Sequence, residues 1–375
     1  MDSEIKKLQK ELKEAREAYY NLTPTLSDQE YDAKIDKLRQ LAPQDFEVTT
    51  IGATPSAHSI WEKIQHEIPM GSLNKVNEVE DFVEWVVDLE NEVNGETKPE
   101  ELLITYKLDG SSLEVIYDKG NLVRGVTRGD GKIGEDVTYN IIQIPNLPKS
   151  VPITSERIHV RGEIMMLKKT FEQYYSNQYA NPRNTAAGKV RDKKNKGADC
   201  KNLIFVAFTL ISETAPDSEE KRFKVLKKMK FEIPPYLVGD QDKVIEWHHR
   251  IHENRDQIPY EIDGTVIRLN NIPAQEEIGE LNMRPRGQIA WKFDPAMGTT
   301  NIKDIKWQVG PTGRITGVAV LEPVHIGGVT ITHVSLHNIK IFNQLQLSRG
   351  DEVLISRKND VIPYCEGNLT KGVYV

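Results

Sequence analysis

The chain has 375 residues, 38% of them hydrophobic and 28% charged, and carries a formal net charge of −7. That length implies two or three domains. The composition is that of an ordinary soluble globular protein, and no run of 18 apolar residues offers a membrane span. The negative balance argues against wholesale nucleic-acid coating but leaves room for a local basic groove.

The N-terminus, Met1-Asp2-Ser3-Glu4-Ile5-Lys6-Lys7, opens a polar helix and not a signal peptide. Two cysteines, Cys200 and Cys365, leave no room for a disulfide framework or a four-cysteine zinc site, so no zinc is expected. A reducing, cytoplasmic setting fits. Residues 1–43 read as two helices. In the first, Ile5, Leu8, Leu12, Ala15 and Tyr19 recur at three and four. The second opens on the capping box Ser27-Asp28-Gln29-Glu30, with Tyr31, Ile35 and Leu38 along one face, and stops at Pro43. A turn-rich link follows over roughly 43–60. Val79, Phe82, Val83, Val86 and Leu89 make another amphipathic helix, with Asn77 as its expected cap.

From about residue 102 the period changes to two. Leu113, Val115 and Tyr117, then Leu122, Arg124 and Val126, flank Asp118-Lys119-Gly120 as a hairpin. Strands and helices then mix to about 295. In the tail, runs such as Arg314 to Val320, Val329 to Val334 and Glu352 to Ser356 alternate with Gly-rich turns. About 80 residues of short strands there suggest a small barrel of the OB type. The expected class is therefore α+β and multidomain: N-terminal helices, a central region of antiparallel sheets with helices, and a C-terminal OB-fold β-barrel.

The chemistry concentrates in the central region. Lys107-Leu108-Asp109-Gly110 ends the apolar run Leu102 to Tyr106. A lysine held still and partly desolvated at the end of a strand suits a nucleophile, because desolvation and positive neighbours free its lone pair. The tetrapeptide alone also fits a surface lysine beside a tight turn. Arg128-Gly129-Asp130-Gly131-Lys132-Ile133-Gly134 packs three glycines into six residues, enough for close backbone approach to a ligand or for a plain hairpin loop. Glu163, in Arg161-Gly162-Glu163, follows an alternating strand and could meet a ribose hydroxyl or a metal. Arg183 and Arg191 stand two turns apart if their stretch is helical, as a phosphate clamp or a solvated face. Asp263 precedes a buried strand and could orient Mg²⁺ or an amine. Lys292, inside Ala290-Trp291-Lys292-Phe293, either meets a phosphate or snorkels to the surface. One lysine nucleophile, several carboxylates, several arginines and a second lysine match nucleotidyl transfer, where cations and Mg²⁺ stabilise charge on phosphate oxygens.

The chain resembles the bacterial-type NAD⁺-dependent DNA ligases. The matching pieces are Tyr106 to Gly110, Thr127 to Gly131, Val160 to Glu163, Ala180 to Asn184, Ile262 to Gly264 and Leu321 to Val324, in family order and spread over nearly the whole chain. The resemblance implies a three-step reaction. Lys107 attacks the α-phosphorus of NAD⁺ and releases nicotinamide mononucleotide. AMP passes to the 5′-phosphate of a nick in double-stranded DNA, and the 3′-hydroxyl displaces it. It further implies Asp109, Glu163, Asp263 and Lys292 as catalytic partners, and Mg²⁺ at Glu163 and Asp263. Phe208 would stack on adenine, and Ser72 and Leu73 would touch the adenosine. Arg128, Arg183, Arg191, Arg255 and Lys292 would face phosphates, and Arg191, Arg268 and Arg314 would meet the DNA substrate. Tyr19, Tyr20, Asp28, Tyr31 and Asp32 are similar to the family's nicotinamide-mononucleotide site, although Tyr19 and Tyr31 also suit a helix-pair core. The domains implied are 1–60, helical with a linker; 61–295, nucleotidyltransferase; and 296–375, OB-fold.

Departures from the family pattern are Thr105 for Glu, Tyr20 for His, Arg268 for Lys and Pro311 for Arg. The zinc-finger, helix-hairpin-helix and BRCT regions have no counterpart here. The chain then reads as a catalytic core, a compact ligase, or one half of a split enzyme with a second polypeptide. Other readings are an ATP- or GTP-using ligase or RNA-capping enzyme, which lack the Tyr19-to-Asp32 helices, and a non-catalytic DNA-binding scaffold.

Overall fold

The structure is a computed structural model that describes residues 2–21, 28–42, 45–49, 61–92, 101–294, 296–309, 315–326, 329–336, 339–358 and 362–374. These divide into two compact units, one from within 1–24 and 38–293, the other from within 25–37 and 294–375. Among the described residues no helix is long and apolar enough to cross a membrane.

The expected N-terminal helices span Asp2–Asn21 and Asp28–Leu41. Leu8, Leu12 and Ala15 of the apolar stripe are buried, as are Ile35 and Leu38. The link read as turn-rich contains a short helix, Phe46–Thr49. Its four residues are too few for a periodic pattern to show.

Two antiparallel-rich sheets build the rest of the first unit. The five-stranded sheet runs in the order Asn74–Val76, Gln288–Lys292, Ile262–Leu269, Leu102–Leu108, Tyr236–Gly239. The four-stranded sheet runs Asn121–Thr127, Ser111–Asp118, Ile158–Met166, Leu203–Ile211. The helix Val79–Glu92 buries Phe82, Val86 and Leu89 in one core with the helix Gln241–Asn254 and the five-stranded sheet. The second core lies under the four-stranded sheet, around Leu113, Val115, Tyr117, Val160 and Phe205. The expected hairpin turns at Lys119 and Gly120, both at positive φ, as a tight two-residue turn requires.

One connection matters most for the site. Strand Leu102–Leu108 belongs to the first sheet and strand Ser111–Asp118 to the second, so Asp109-Gly110 carries the chain across between them. A Cβ at Gly110 would stand 2.3 Å from the Ile164 carbonyl oxygen, so only glycine lets the chain pass this close.

The second unit, besides its residues from within 25–37 and the short helix Ile339–Gln344, contains a six-stranded antiparallel sheet, in the order Val329–Ser335, Ile315–Ile326, Ala296–Val309, Glu352–Lys358, Ile362–Asn368, Val373–Tyr374. The 14-residue strand Ala296–Val309 is shared. Its first half pairs with Glu352–Lys358 and its second half with Ile315–Ile326, with a register shift between Ile302 and Asp304. Such an irregularity bends a strand, and the bend wraps the sheet around Ile302, Leu321, Ile331, Val353 and Ile355. Ladder pairing among the described residues stays open and does not close right round, as in the partly open barrels of the OB class.

Candidate active site

Lys107, Asp263 and Lys292 come together through sheet register. Gly264 is the direct partner of Lys107 on one side and of Lys292 on the other. Directly opposed residues share a face, so both lysines point the same way. The register then slips between Ile262 and Gly264, leaving Asp263 as the extra residue of a bulge. The Lys107 Nζ donates to both Asp263 carboxylate oxygens at 2.6 Å. Burial opposes the charge on Asp263, but Lys107 and Lys292 hold its carboxyl below the ordinary value. The sequence suggested a lysine among positive neighbours. Its nearest group is instead an ionised carboxylate, and the cations Lys292 and Arg183 act on that carboxylate.

The second sheet supplies Glu163. The sequence placed it after a strand, but it lies within Ile158–Met166 and is 7% exposed. Its register partner across the sheet is Ser112, whose Oγ donates to Glu163 at 2.8 Å. Burial pushes the Glu163 carboxyl up to about 7, against the pull of Arg183 and the Ser112 hydrogen bond. Ser112 was not singled out in the sequence. Its position two residues past Gly110, at the start of the strand opposing Glu163, is the signal that identifies it.

Helix Pro182–Val190 brings Arg183. Asn181 caps it by accepting from the Asn184 backbone N–H at 2.7 Å, and Pro182 occupies the first turn. Arg183, at the helix start, donates to Asp109 at 2.5 Å. Arg191 falls just past the helix end and donates to Glu135 at 2.7 Å. The two arginines thus hold separate carboxylates.

Arg128 begins the Gly-rich loop and its Nε is buried with no hydrogen-bond partner among the described residues. Its backbone N–H donates to the Ser112 carbonyl at 3.3 Å, which places it beside the Ser112–Glu163 pair. Ser72 and Leu73 are half-buried, and Ser72 donates its N–H to the Met283 carbonyl at 3.1 Å. The Arg255 guanidinium stands 6.0 Å from the Phe293 ring centre, next in chain to Lys292.

Arg268, expected to meet the DNA substrate, is buried. It is 5% exposed, donates to the Phe208 carbonyl at 2.8 Å, and lies 3.7 Å from Glu219. Its guanidinium also stands 5.9 Å from the Phe208 ring centre and 5.8 Å from that of Phe223. On Ile262–Leu269 it stands four residues past Gly264, on the same sheet face as Lys107 and Lys292, where Glu219 and the two rings enclose it. Phe208 itself is half-buried on Leu203–Ile211 and neighbours this cation. Tyr31 is half-buried, while the side chains of Tyr19, Tyr20, Asp28 and Asp32 lie outside the described residues, as do Arg314 and Pro311. Thr105 is buried in the five-stranded sheet.

Two sheets joined just past Lys107 thus gather Asp263, Glu163 and Lys292 near it, with Arg183 held on Asp109 beside them. The NAD-dependent DNA ligase adenylation domain profile matches residues 58–296, and the OB-fold domain profile of the same ligases matches 299–372. The DNA ligase of Sorangium cellulosum (strain So ce56) is 35% identical over 381 residues, covering 96% of this chain and 56% of that one. The DNA ligase of Acinetobacter baumannii (strain AYE) is 36% identical over 374 residues, covering 93% and 54%. A solved structure called Pmar-Lig_Pre. superposes with TM-score 0.43 at 13% identity, over 90% of this chain and 68% of its own. The chain belongs to the NAD-dependent DNA ligase family, and it spans about half the length of the curated relatives it matches.

Proposed function

We propose that this chain carries out the adenylylating chemistry of a nick-sealing ligase, with NAD⁺ as the nucleotide donor and nicked double-stranded DNA as the acceptor. The observation that carries the reading is the contact of Lys107 Nζ with both oxygens of Asp263, at the crossing of two sheets that also present Glu163 and Lys292, with Arg183 brought in by a helix.

In the first step Lys107 Nζ attacks the α-phosphorus of NAD⁺. A P–N bond forms, the P–O bond to nicotinamide mononucleotide breaks, and that group leaves with the electron pair. The amine must lose a proton on the way, and Asp263 is the carboxylate in contact with it. Lys292, Arg183 and Arg128 supply positive charge for the phosphate oxygens. The buried Arg128 Nε, without a partner among the described residues, fits an anion at this place. Lys107 then acts as leaving group when AMP passes to the 5′-phosphate of the nick, and the 3′-hydroxyl finally displaces AMP. Tyr19, Tyr20, Asp28, Tyr31 and Asp32 would hold the nicotinamide half, and Ser72, Leu73 and Phe208 the adenosine half. Arg191, Arg255 and Arg314 would face phosphates of cofactor or DNA.

Among the described residues no three His, Cys, Asp or Glu side chains gather as an all-protein metal cage. Mg²⁺ commonly binds one or two carboxylates together with substrate phosphates, and Glu163 and Asp263 fit that mode. The ion would neutralise charge on the reacting phosphate.

The test is intact-mass spectrometry after incubation with Mg²⁺ and either NAD⁺ or ATP. The expected result is a gain of one AMP from NAD⁺ alone, absent in Lys107→Ala. A gain only from ATP, or a gain on the alanine variant, overturns the reading.

A further inference from the structure

His66 has no part in the chemistry above, yet both nitrogens of its ring have acceptors within hydrogen-bond distance. The His66 and Glu114 side chains are both fully buried. His66 Nδ1 lies 2.9 Å from Glu114 Oε2, and Nε2 lies 3.1 Å from the Thr127 carbonyl and 3.2 Å from the Arg128 carbonyl. All three partners are acceptors. A neutral imidazole has one N–H and could serve only one side, whereas the imidazolium serves both.

Glu114 is the matching anion. It also accepts from Arg161 Nε at 3.0 Å, and His159 Nδ1 stands 3.6 Å away. His159 in turn lies 3.4 Å from Glu67, which pairs with Arg157 at 2.6 Å. Burial opposes ionisation of Glu114, but the neighbouring His159 and His66 and the charge of Arg161 hold its carboxyl well below the usual range. An ionised carboxylate this deep requires cations around it.

The cluster has a defined place relative to the site. Glu114↔Arg161 and Ser112↔Glu163 are register pairs on the same two strands, one rung apart on one face. The His66 backbone N–H also donates to the Lys132 carbonyl at 2.8 Å, and the adjoining strand Lys63–Gln65 pairs with Ile133–Glu135. His66 therefore grips the Gly-rich loop at both ends, at 127–128 and at 132.

We propose that His66, paired with Glu114, is a positioning residue for the first reaction step: by holding the Thr127 and Arg128 carbonyls it sets where the Arg128 guanidinium stands. This rests on reading Arg128 as a phosphate-facing cation of lysyl-AMP formation.

A double-mutant cycle separates this role from a purely structural one. Lysyl-AMP formation is followed by intact mass under single turnover, at saturating NAD⁺, for the wild type, His66→Gln, Arg128→Ala and the double variant. Each single substitution should slow the step at least tenfold, and His66→Gln should slow the Arg128→Ala protein less than threefold further. Thermal unfolding shows which variants are folded at the assay temperature. If His66→Gln is not, Glu114→Gln takes its place in the cycle, since it keeps His66 and the side-chain shape but removes the anion, and the same near-loss of effect in the Arg128→Ala background is expected. Effects that multiply fully in the double variant overturn the proposal, as does an Arg128→Ala protein that forms lysyl-AMP at the wild-type rate. A wild type that takes up no AMP from NAD⁺ defeats the proposed function instead.

Discussion

Lys107 and Lys292 stand on either side of one glycine. Each is the direct register partner of Gly264, and the bulge beside that glycine delivers the carboxylate that lies between their charges. Two ammonium groups on one face of a sheet repel, and Asp263 offsets that repulsion. The arrangement depends on the strands lying close. A Cβ on Gly264 would meet the Trp291 carbonyl oxygen at 2.2 Å and the Lys292 Cα at 2.9 Å.

Gly264→Ala should therefore push strand Gln288–Lys292 away and move Lys292 off Asp263. Overpacking of this kind destabilises by about 1–3 kcal/mol. A lower unfolding midpoint together with loss of lysyl-AMP formation is the expected outcome. A variant with wild-type adenylylation would show that the spacing of the two lysines does not matter.

Glu163 gives a pH signature. Its carboxyl rises from 4.5 to about 7 in the folded state, chiefly by burial, so folding favours its protonated form. That contribution is fully present below pH 4.5 and is lost as pH rises through about 7, which corresponds to about 3 kcal/mol. Glu163→Gln removes the penalty. Without Mg²⁺, the variant should unfold at higher denaturant than the wild type at pH 8, with the gap closing towards pH 4.5, while losing adenylylation. Equal midpoints across that range would show that the carboxyl is not strained in the fold.

Arg268 tests the core assignment. Truncating one partner of a buried ion pair costs about 3–5 kcal/mol, so Arg268→Ala should lower stability strongly by leaving Glu219, among the described residues, with only its Gln275 hydrogen bond and no cation. In DNA-binding titrations over a salt series, its slope should match the wild type, because no phosphate contact is lost. A slope reduced by about one, with stability unchanged, would put Arg268 on the duplex after all.

Tyr31→Ala and Asp32→Ala should slow lysyl-AMP formation from NAD⁺ yet spare sealing of DNA that already bears 5′-AMP. Nicotinamide mononucleotide departs in the first step, so its site has no role in the last. Both reactions are measured on one preparation, and equal loss in both would assign these residues to the fold.

The amino-acid sequence by itself determined the elements whose signals are local. The stripe Leu8, Leu12 and Ala15, the Lys119-Gly120 hairpin, the helix carrying Phe82, Val86 and Leu89, and the tail of short strands all follow from side-chain period and turn chemistry over a few residues. Lys107, Asp263, Glu163 and Lys292 were each visible as a charge at an unusual place in an apolar run. Tertiary structure decided which of them meet. Lys107 and Asp263 are 156 positions apart, and only strand register and one bulge put them in contact. Arg183 and Arg191 looked like one clamp by helical spacing, but the helix ends at Val190 and long-range carboxylates claim each of them separately. The resemblance assigns Arg268 to the DNA substrate, but only the fold shows Glu219 and two aromatic rings around it, on the sheet face that also carries Lys107. His66 gave no sequence signal at all, because its three acceptors come to it only through the fold, from two distant strands and the loop that follows one of them. Local pattern specifies an element, whereas the partner of a buried charge is specified only when the chain closes around it.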